Sequence, residues 1–520
     1  MNYACWGIRE YSHERLYFVE FVVRTGYKIE PEVDDKDVES AMLLIRRTTP
    51  VHHAHWHNNG YIMRDLFKIY DRYDVNYIDE FGYTHFHLAC KFGHRDVVER
   101  FLELGQDPDL LVSKTGDSPL HLALAGAHKE VAESLLKHGA DPNLANHDGQ
   151  TPLHVVCRRV VRDDLAEIFF GACDVARRRV RVNAGDRPNG DAPLHLALHH
   201  ARNEKLTELL LRRGADPDLA NDEGFAALHV IAWNGCDDGS AELFLEACAK
   251  LGKPVRLDAR DEKGRSPLQW AVARFMPNAI DALLDRGADL SSFRFPTEDY
   301  FGKRFKPPFG NHLENMEVRL AAGALDSLER LERRGYEPKP SDVLTIMKFF
   351  AKNNAFVTSA NRFELPPDHY WHSRRFQEEA KKTMINPSVS LYDLIQPQPE
   401  KATKLVTYTE YVDFYELSRE RLGWPWLRDR HEENLAVHLC ELLSRRFFRS
   451  WAVHRLMELT HYRLPFDALR KLPKKLHEAC VLHLCETISR GFFRSWATIS
   501  FLDLTRCRLP VSAVETSSRI

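Results

Sequence analysis

The chain has 520 residues, 44% of them hydrophobic and 28% charged, with 72 Lys and Arg against 75 Asp and Glu. That apolar content excludes global disorder and suffices for a continuous core. A formal net charge of -3 excludes the basic footprint that nucleic-acid backbones demand, and no stretch reaches the ~18 uncharged apolar residues of a membrane-spanning helix.

The ten cysteines are scattered, none forms a Cys-x-x-Cys pair, and the nearest two are Cys480 and Cys485. In so long a chain this implies reduced, buried thiols and an intracellular protein, cytoplasmic with the nucleus as the other compartment. The apolar stretch Leu16–Val23 is interrupted by Glu20 and lacks a signal-peptide layout.

Residues 1–75 form the N-terminal region. Its His52-His53-x-His55-x-His57 run is the one concentrated set of potential metal ligands. Pro and Asn bound it, and neither Cys nor a well-placed carboxylate accompanies it. A solvated loop, or one packing Trp56, is therefore expected, with no metal and no cofactor. Ile62 to Tyr70 reads as a helix feeding a hairpin at Asp79, which makes Val38–Tyr73 an atypical capping unit.

From residue 76 to 293 one phrase recurs. It reads Gly82-Tyr-Thr-His-Phe-His87, Gly116-Asp-Ser-Pro-Leu-His121, Gly149-Gln-Thr-Pro-Leu-His154, Gly190-Asp-Ala-Pro-Leu-His195, Gly224-Phe-Ala-Ala-Leu-His229 and Gly264-Arg-Ser-Pro-Leu-Gln269. Steps between the last residues are 34, 33, 41, 34 and 40. A second phrase closes the better units, as in Gly139-Ala-Asp-Pro-Asn143 and Gly214-Ala-Asp-Pro-Asp218.

Each residue type has a physical role. Gly takes a positive-φ turn position at a hairpin tip. Thr84, Ser118, Thr151 and Ser266 supply N-cap oxygens, and Pro follows where its missing N–H costs nothing. An apolar second helix then ends at Gly in a left-handed cap. The third and fifth intervals carry their excess in Gly171–Asn183 and Ala247–Asp258, read as extended helices or loops. The run Arg177-Arg178-Arg179-x-Arg181 is a nuclear address, an acidic-partner contact or a solvated helix end.

These six units resemble the ankyrin repeat. The resemblance implies an all-α solenoid, a repeat stack with β-hairpin loops. It also implies that the recurrent His is structural, since neighbours one layer apart stand on the order of 10 Å from each other, too far to share a metal.

Residues 294–400 form a Pro-containing connector with a degenerate repeat at Val318–Gly335. Residues 401–520 form a C-terminal helical domain with a tandem duplication. There His438-Leu-Cys-Glu441 returns as His483-Leu-Cys-Glu486, and Phe447-Phe-Arg-Ser-Trp-Ala452 as Phe492-Phe-Arg-Ser-Trp-Ala497. Arg463-Leu-Pro465 returns as Arg508-Leu-Pro510, each step being 45 residues. Repeats followed by such a Leu-Pro element resemble poxvirus-type and parasitoid-wasp ankyrin proteins with the F-box-like PRANC domain. That resemblance implies docking of a Skp-type linker and cullin ligase through Leu464, Pro465, Leu469 and Leu472.

No Gly-rich phosphate loop, nucleophile elbow or carboxylate pair suggests an enzyme. The expectation is a protein-binding scaffold that captures its partner on the concave face and hairpin tips. The candidate contacts are Glu80, Phe81, Lys114, Asn146, His147, Glu223, Trp233, Glu262 and Lys263. Ligase adaptor and IκB-like decoy are the two finer readings.

Overall fold

The computed structural model describes residues 12–30, 43–159, 164–199, 204–235, 237–302, 316–352, 374–395, 405–407 and 410. They fall into two compact units. One takes the chain up to Val230 with Leu243–Arg256 and Arg260–Gly264; the other takes Ile231–Glu242, Leu257–Ala259 and residues from Arg265 onward.

The first unit opens with helix α1 (Ser12–Arg24) and strand β1 (Leu43–Arg46). Helices then follow in pairs: α2 (Pro50–Trp56) with α3 (Met63–Ile69), and α4 (His85–Phe92) with α5 (Arg95–Glu103). Next come α6 (Pro119–Ala125) with α7 (Lys129–Lys137), α8 (Pro152–Arg158) with α9 (Leu165–Val175), and α10 (Pro193–His199) with α11 (Glu204–Arg212). Helices α12 (Ala227–Asn234) and α13 (Ser240–Lys250) each contribute residues to both units. Strand β2 (Val75–Ile78) runs parallel to β1, with Leu43 opposite Val75 and Arg46 opposite Ile78.

The second helices bury one stripe each. In α7, Val131, Ala132, Leu135 and Leu136 are buried while Glu130, Glu133 and Lys137 face water, the i, i+4 spacing of an amphipathic helix. The first helices are short and buried almost throughout; in α6 every residue from Pro119 to Leu124 is inside. They form because their starts are over-determined. In α6, Ser118 is the N-cap, Pro119 holds the first position and His121 closes a capping box.

Two features differ from the sequence expectation. The His52–His57 segment is not a loop. Most of it lies in helix α2, capped by Thr49 with Pro50 in its first turn, because Thr49-Pro50-Val51-His52 is the same phrase that starts the later first helices. The excess of the longer units is also not confined to the segments after their second helices. Helices α9 and α13 have 11 residues where α5, α7 and α11 have 9, and the connection from Arg158 to Leu165 is longer than that from Ala125 to Lys129.

In the second unit, α14 (Pro267–Ala273) and α15 (Pro277–Asp285) form a further pair. Helix α16 (Met316–Arg333) packs against α15, burying Leu325, Leu328 and Leu331. Where a degenerate repeat was expected at Val318–Gly335, the chain is one helix of 18 residues, Met316–Arg333, which runs through Gly323 without a break. Helices α17 (Pro340–Lys352) and α18 (Arg374–Lys382) follow. An antiparallel pair, β3 (Met384–Asn386) with β4 (Val389–Ser390), leads into α19 (Leu391–Leu394). The tandem C-terminal module, with Leu464, Pro465, Leu469 and Leu472, lies outside the described residues.

Candidate functional site

The surface is built on a capping box that repeats along the chain. In each, the side chain three residues into the box turns back to the N-cap backbone. Nδ1 of His52, His87, His121 and His154 accepts the N–H of Thr49, Thr84, Ser118 and Thr151 at 3.0–3.1 Å. That bond fixes the tautomer, leaving Nε2 protonated and donating to a carbonyl of the next unit. His52 donates to Tyr83 O at 2.9 Å, His87 to Leu110 O at 2.7 Å, His121 to Gln150 O at 2.8 Å, and His195 to Phe225 O at 2.8 Å. In the second unit Gln269 does the same work, its Oε1 accepting the Ser266 N–H and its Nε2 donating to Arg294 O. Each box therefore starts its own helix and ties it to the following layer.

Burial holds the imidazoles of His52, His87, His121 and His154 neutral. It lowers His52 and His87 to about 4 and also lowers His121 and His154. With both ring nitrogens engaged, they are unavailable as metal ligands or as acid–base groups.

The hairpin tips form a second ladder, in main-chain atoms. Lys114 N–H donates to Phe81 O, His147 to Thr115 O, Arg187 to Asp148 O, Asp222 to Asn189 O and Glu262 to Glu223 O, at 2.8–3.2 Å. An Asp or Asn opens most of these tips and holds them from within, whereas Val112 stands at that position in the tip of Lys114. Asp79 Oδ1 accepts from Phe81 and Tyr83 N–H, and Asn221 Oδ1 from Glu223 and Phe225 N–H. Gly is obligatory in this arrangement. At Gly82 (φ +87°) a Cβ would stand 2.4 Å from Ser113 N, and at Gly224 (φ +76°) 2.6 Å from Glu262 N.

The ladder brings the expected contact residues of the first unit into one row and exposes Glu80, Lys114, His147, Glu223, Glu262 and Lys263. Phe81 is half-buried, edge-on to Trp56 at 5.5 Å and covered by the Lys114 ammonium at 4.5 Å. Asn146 differs from the others. Its Nδ2 donates to Asp117 Oδ1 and its Oδ1 accepts from Asp148 and Gln150 N–H, so its side chain holds the turn instead of facing a partner. Trp233, in the second unit, is half-buried at the end of α12 with the Arg274 guanidinium 5.5 Å over its ring.

Sequence reasoning missed the aromatic neighbours of Phe81. Trp56 donates its indole N–H to Asp79 at 3.2 Å, and His55 meets Tyr83 and Phe92 at 4.8 and 6.0 Å. The signal was Thr49-Pro50-Val51-His52, which places Trp56 at the end of a first helix. Among the described residues no group of three His, Cys, Asp or Glu side chains could hold a metal ion, and no helix is long and apolar enough to cross a membrane.

Helix pairs, tip ladder and histidine boxes together define an ankyrin-repeat stack. A family model described as ankyrin repeats in three copies matches residues 51–146, 86–179 and 194–294, so these repeats are ankyrin repeats. Among curated proteins the chain is similar to the mouse B-cell lymphoma 3 protein homolog, at 32% identity over 28% of this chain and 39% of that protein. It is also similar to mouse NF-kappa-B inhibitor delta, at 32% identity over 24% of this chain and 36% of that protein. The chain thus spans well under two thirds of either relative. Among solved structures, the crystal structure of the ankyrin repeat domain of Bcl-3, a member of the IkappaB family, matches at 25% identity. That match covers 41% of this chain and 90% of that one, with a TM-score of 0.35.

Proposed function

We propose that this protein-interaction scaffold works as a decoy, capturing an NF-kappa-B-type protein on its tips and first helices and withholding it from other partners. The observation that carries the reading is the tip row. Its main chain is tied repeat to repeat by the ladder while the side chains of Glu80, Lys114, Glu223, Glu262 and Lys263 are exposed. The half-buried Phe81 and Trp233 are candidate anchors of the kind that dominate interface energetics. Similarity to a protein named as an NF-kappa-B inhibitor supports the choice of partner.

The test is affinity capture of an NF-kappa-B-type protein by the full chain and by Phe81→Ala and Trp233→Ala. Weakening by about tenfold per anchor, with the melting temperature nearly unchanged, is the expected result. No capture by the wild type removes the decoy reading, and unchanged affinity with a large fall in melting temperature reassigns the two aromatics to packing.

The duplicated 45-residue sequence module favours a second reading, in which the captured protein is delivered to a cullin ligase through a Skp-type linker docked at Leu464, Pro465, Leu469 and Leu472. Co-purification of the linker with the full chain, lost in Leu464→Asp and Leu469→Asp, is its expected signature. A folded chain that retains no linker excludes it.

A further inference from the structure

Helix α9 ends differently from the other second helices. After α5, α7, α11, α13 and α15 the left-handed residue is Gly105, Gly139, Gly214, Gly252 or Gly287, with φ between +63° and +103°. After α9 the same place is taken by Arg177, with φ +53°. A side chain at positive φ is disfavoured, and glycine is the ordinary solution there. Asn58, Ala127 and Phe275 also have positive φ, but none of them ends a second helix.

Beyond Arg177 the chain forms a rigid cationic segment. The Arg178 guanidinium donates to Gly139 O at 3.1 Å. Asn143 Nδ2 donates to Arg179 O at 2.7 Å, and Asn143 Oδ1 accepts the Arg181 N–H at 2.6 Å. The backbone is thereby fixed to the preceding repeat. The side chains of Arg177, Arg179 and Arg181 are exposed and, among the described residues, make no hydrogen bond or ion pair. The carboxylate within the segment, Asp174, is neutralised by the paired guanidinium nitrogens of Arg213 at 2.8–2.9 Å. Exposed Lys137, two residues before the carbonyl that Arg178 holds, adds another cation. Val175, at the end of α9, is 86% exposed.

We propose that Val175, Arg177, Arg179 and Arg181 form a second docking surface, for a short acidic protein segment bearing an apolar residue. It shares no residue with the tips and first helices and goes beyond the decoy reading. Charge complementarity selects the ligand, since exposed guanidinium groups on a held backbone, without a polar partner among the described residues, match carboxylates in geometry and sign. Its limits select a peptide over a polyanion. Asp107, Asp109 and Asp141 flank the segment in the preceding repeats, and Asp216 and Asp218 in the following one. A nucleic-acid backbone tracking along the stack, with one charge per ~1.7 Å of duplex, would run onto these carboxylates, and so would a flat anionic membrane.

The experiment is fluorescence anisotropy with a labelled Glu- and Asp-rich peptide carrying one leucine, titrated with the full chain. Binding that weakens by about tenfold or more in Arg177→Glu/Arg179→Glu/Arg181→Glu, and weakens as salt rises, is expected. Arg178 is left intact because it holds the loop. Arg177→Gly separates binding from folding. It should raise the melting temperature by relieving the left-handed residue while weakening the peptide roughly two- to threefold. Equal peptide binding by wild type and triple variant, with both folded, overturns the proposal. So does tighter binding of poly(U) RNA or of phosphatidylserine vesicles that the triple variant abolishes.

Discussion

A histidine that accepts a backbone N–H at Nδ1 and donates from Nε2 cannot take a proton without losing the first bond inside a desolvated layer. His52 and His87 are held near 4 against an ordinary 6.5, and His85 lies well below it. His85 stands where most units have Pro, with its Nε2 2.7 Å from Thr49 Oγ1 and its ring among His52, Tyr70 and Tyr77. The unfolded chain takes up protons near 6.5, whereas the folded chain does so only near 4. The stabilisation is therefore complete above 6.5 and lost as pH falls toward 4. His52 and His87 are each worth about 3 kcal/mol over that window. Asp237, raised to about 6 by burial, acts in the opposite sense but is a single group. Denaturant midpoints measured from pH 7.5 to 4.5 should fall steeply; a flat profile would contradict the buried-histidine assignment.

Among residues with packing roles, Leu153 is fully buried and Thr151 opens its helix. Leu153→Ala should cost about 2–5 kcal/mol and Thr151→Ala about 1 kcal/mol. Lys263→Ala, on an exposed tip, should stay within about 0.5 kcal/mol. Equal costs for all three in chemical denaturation would mean that the repeat register is wrong.

At the scale of elements, helix α2 converts a histidine-rich run from a candidate ligand set into part of a layer. His52 is bonded on both sides, His53 stands edge-on to Trp56 at 4.9 Å, and His55 lies against Tyr83 and Phe92. Three of the run's four imidazoles thus have roles in packing. Dialysis against a weak chelator should leave the melting temperature and partner capture unchanged. Zinc retained at one equivalent per chain would overturn this.

Most first-helix starts were legible because capping is local, although the same phrase at Thr49-Pro50-Val51-His52 starts a helix where a loop was expected. Thr or Ser, then Pro, then His or Gln three residues after the cap sets the first helix wherever it occurs. The starts at Pro119, Pro152 and Pro267 follow from the phrase itself. How the excess of the longer units divides was not legible, because Gly171–Asn183 and Ala247–Asp258 read as extended helices or loops and leave it open; α9 and α13 have 11 residues each.

At the scale of the whole molecule, repeat stacks are stabilised by nearest-neighbour interfaces, and here three kinds of bond cross between repeats. They are the histidine-to-carbonyl bond, the tip ladder, and the Asp or Asn that closes a repeat and accepts an N–H from another. Asp109 takes the N–H of Asp141, Asn143 that of Arg181, and Asp218 that of Arg256. A change that breaks one interior layer should therefore loosen its neighbours too. In hydrogen exchange, Leu153→Ala should reduce protection in α6 and α10 as well as α8. Loss confined to α8 would argue against this coupling.

The sequence by itself determined the repeat, its phase and its capping chemistry, because each follows from residues within a few positions of one another. It also determined that the recurrent histidines are structural, since their spacing forbids a shared metal. Only the tertiary structure decided which side chains are left over for a partner. Asn146 and Glu223 read alike as tip residues, yet Asn146 is bound to Asp117 in the preceding repeat while the Glu223 side chain stays exposed. Arg177 and Arg178 are neighbours in one basic run, yet among the described residues the Arg177 side chain has no polar partner and that of Arg178 is fastened to Gly139. The physical reason is the same in both cases: a partner about one repeat away in sequence, brought near by stacking, decides whether a polar group is already satisfied.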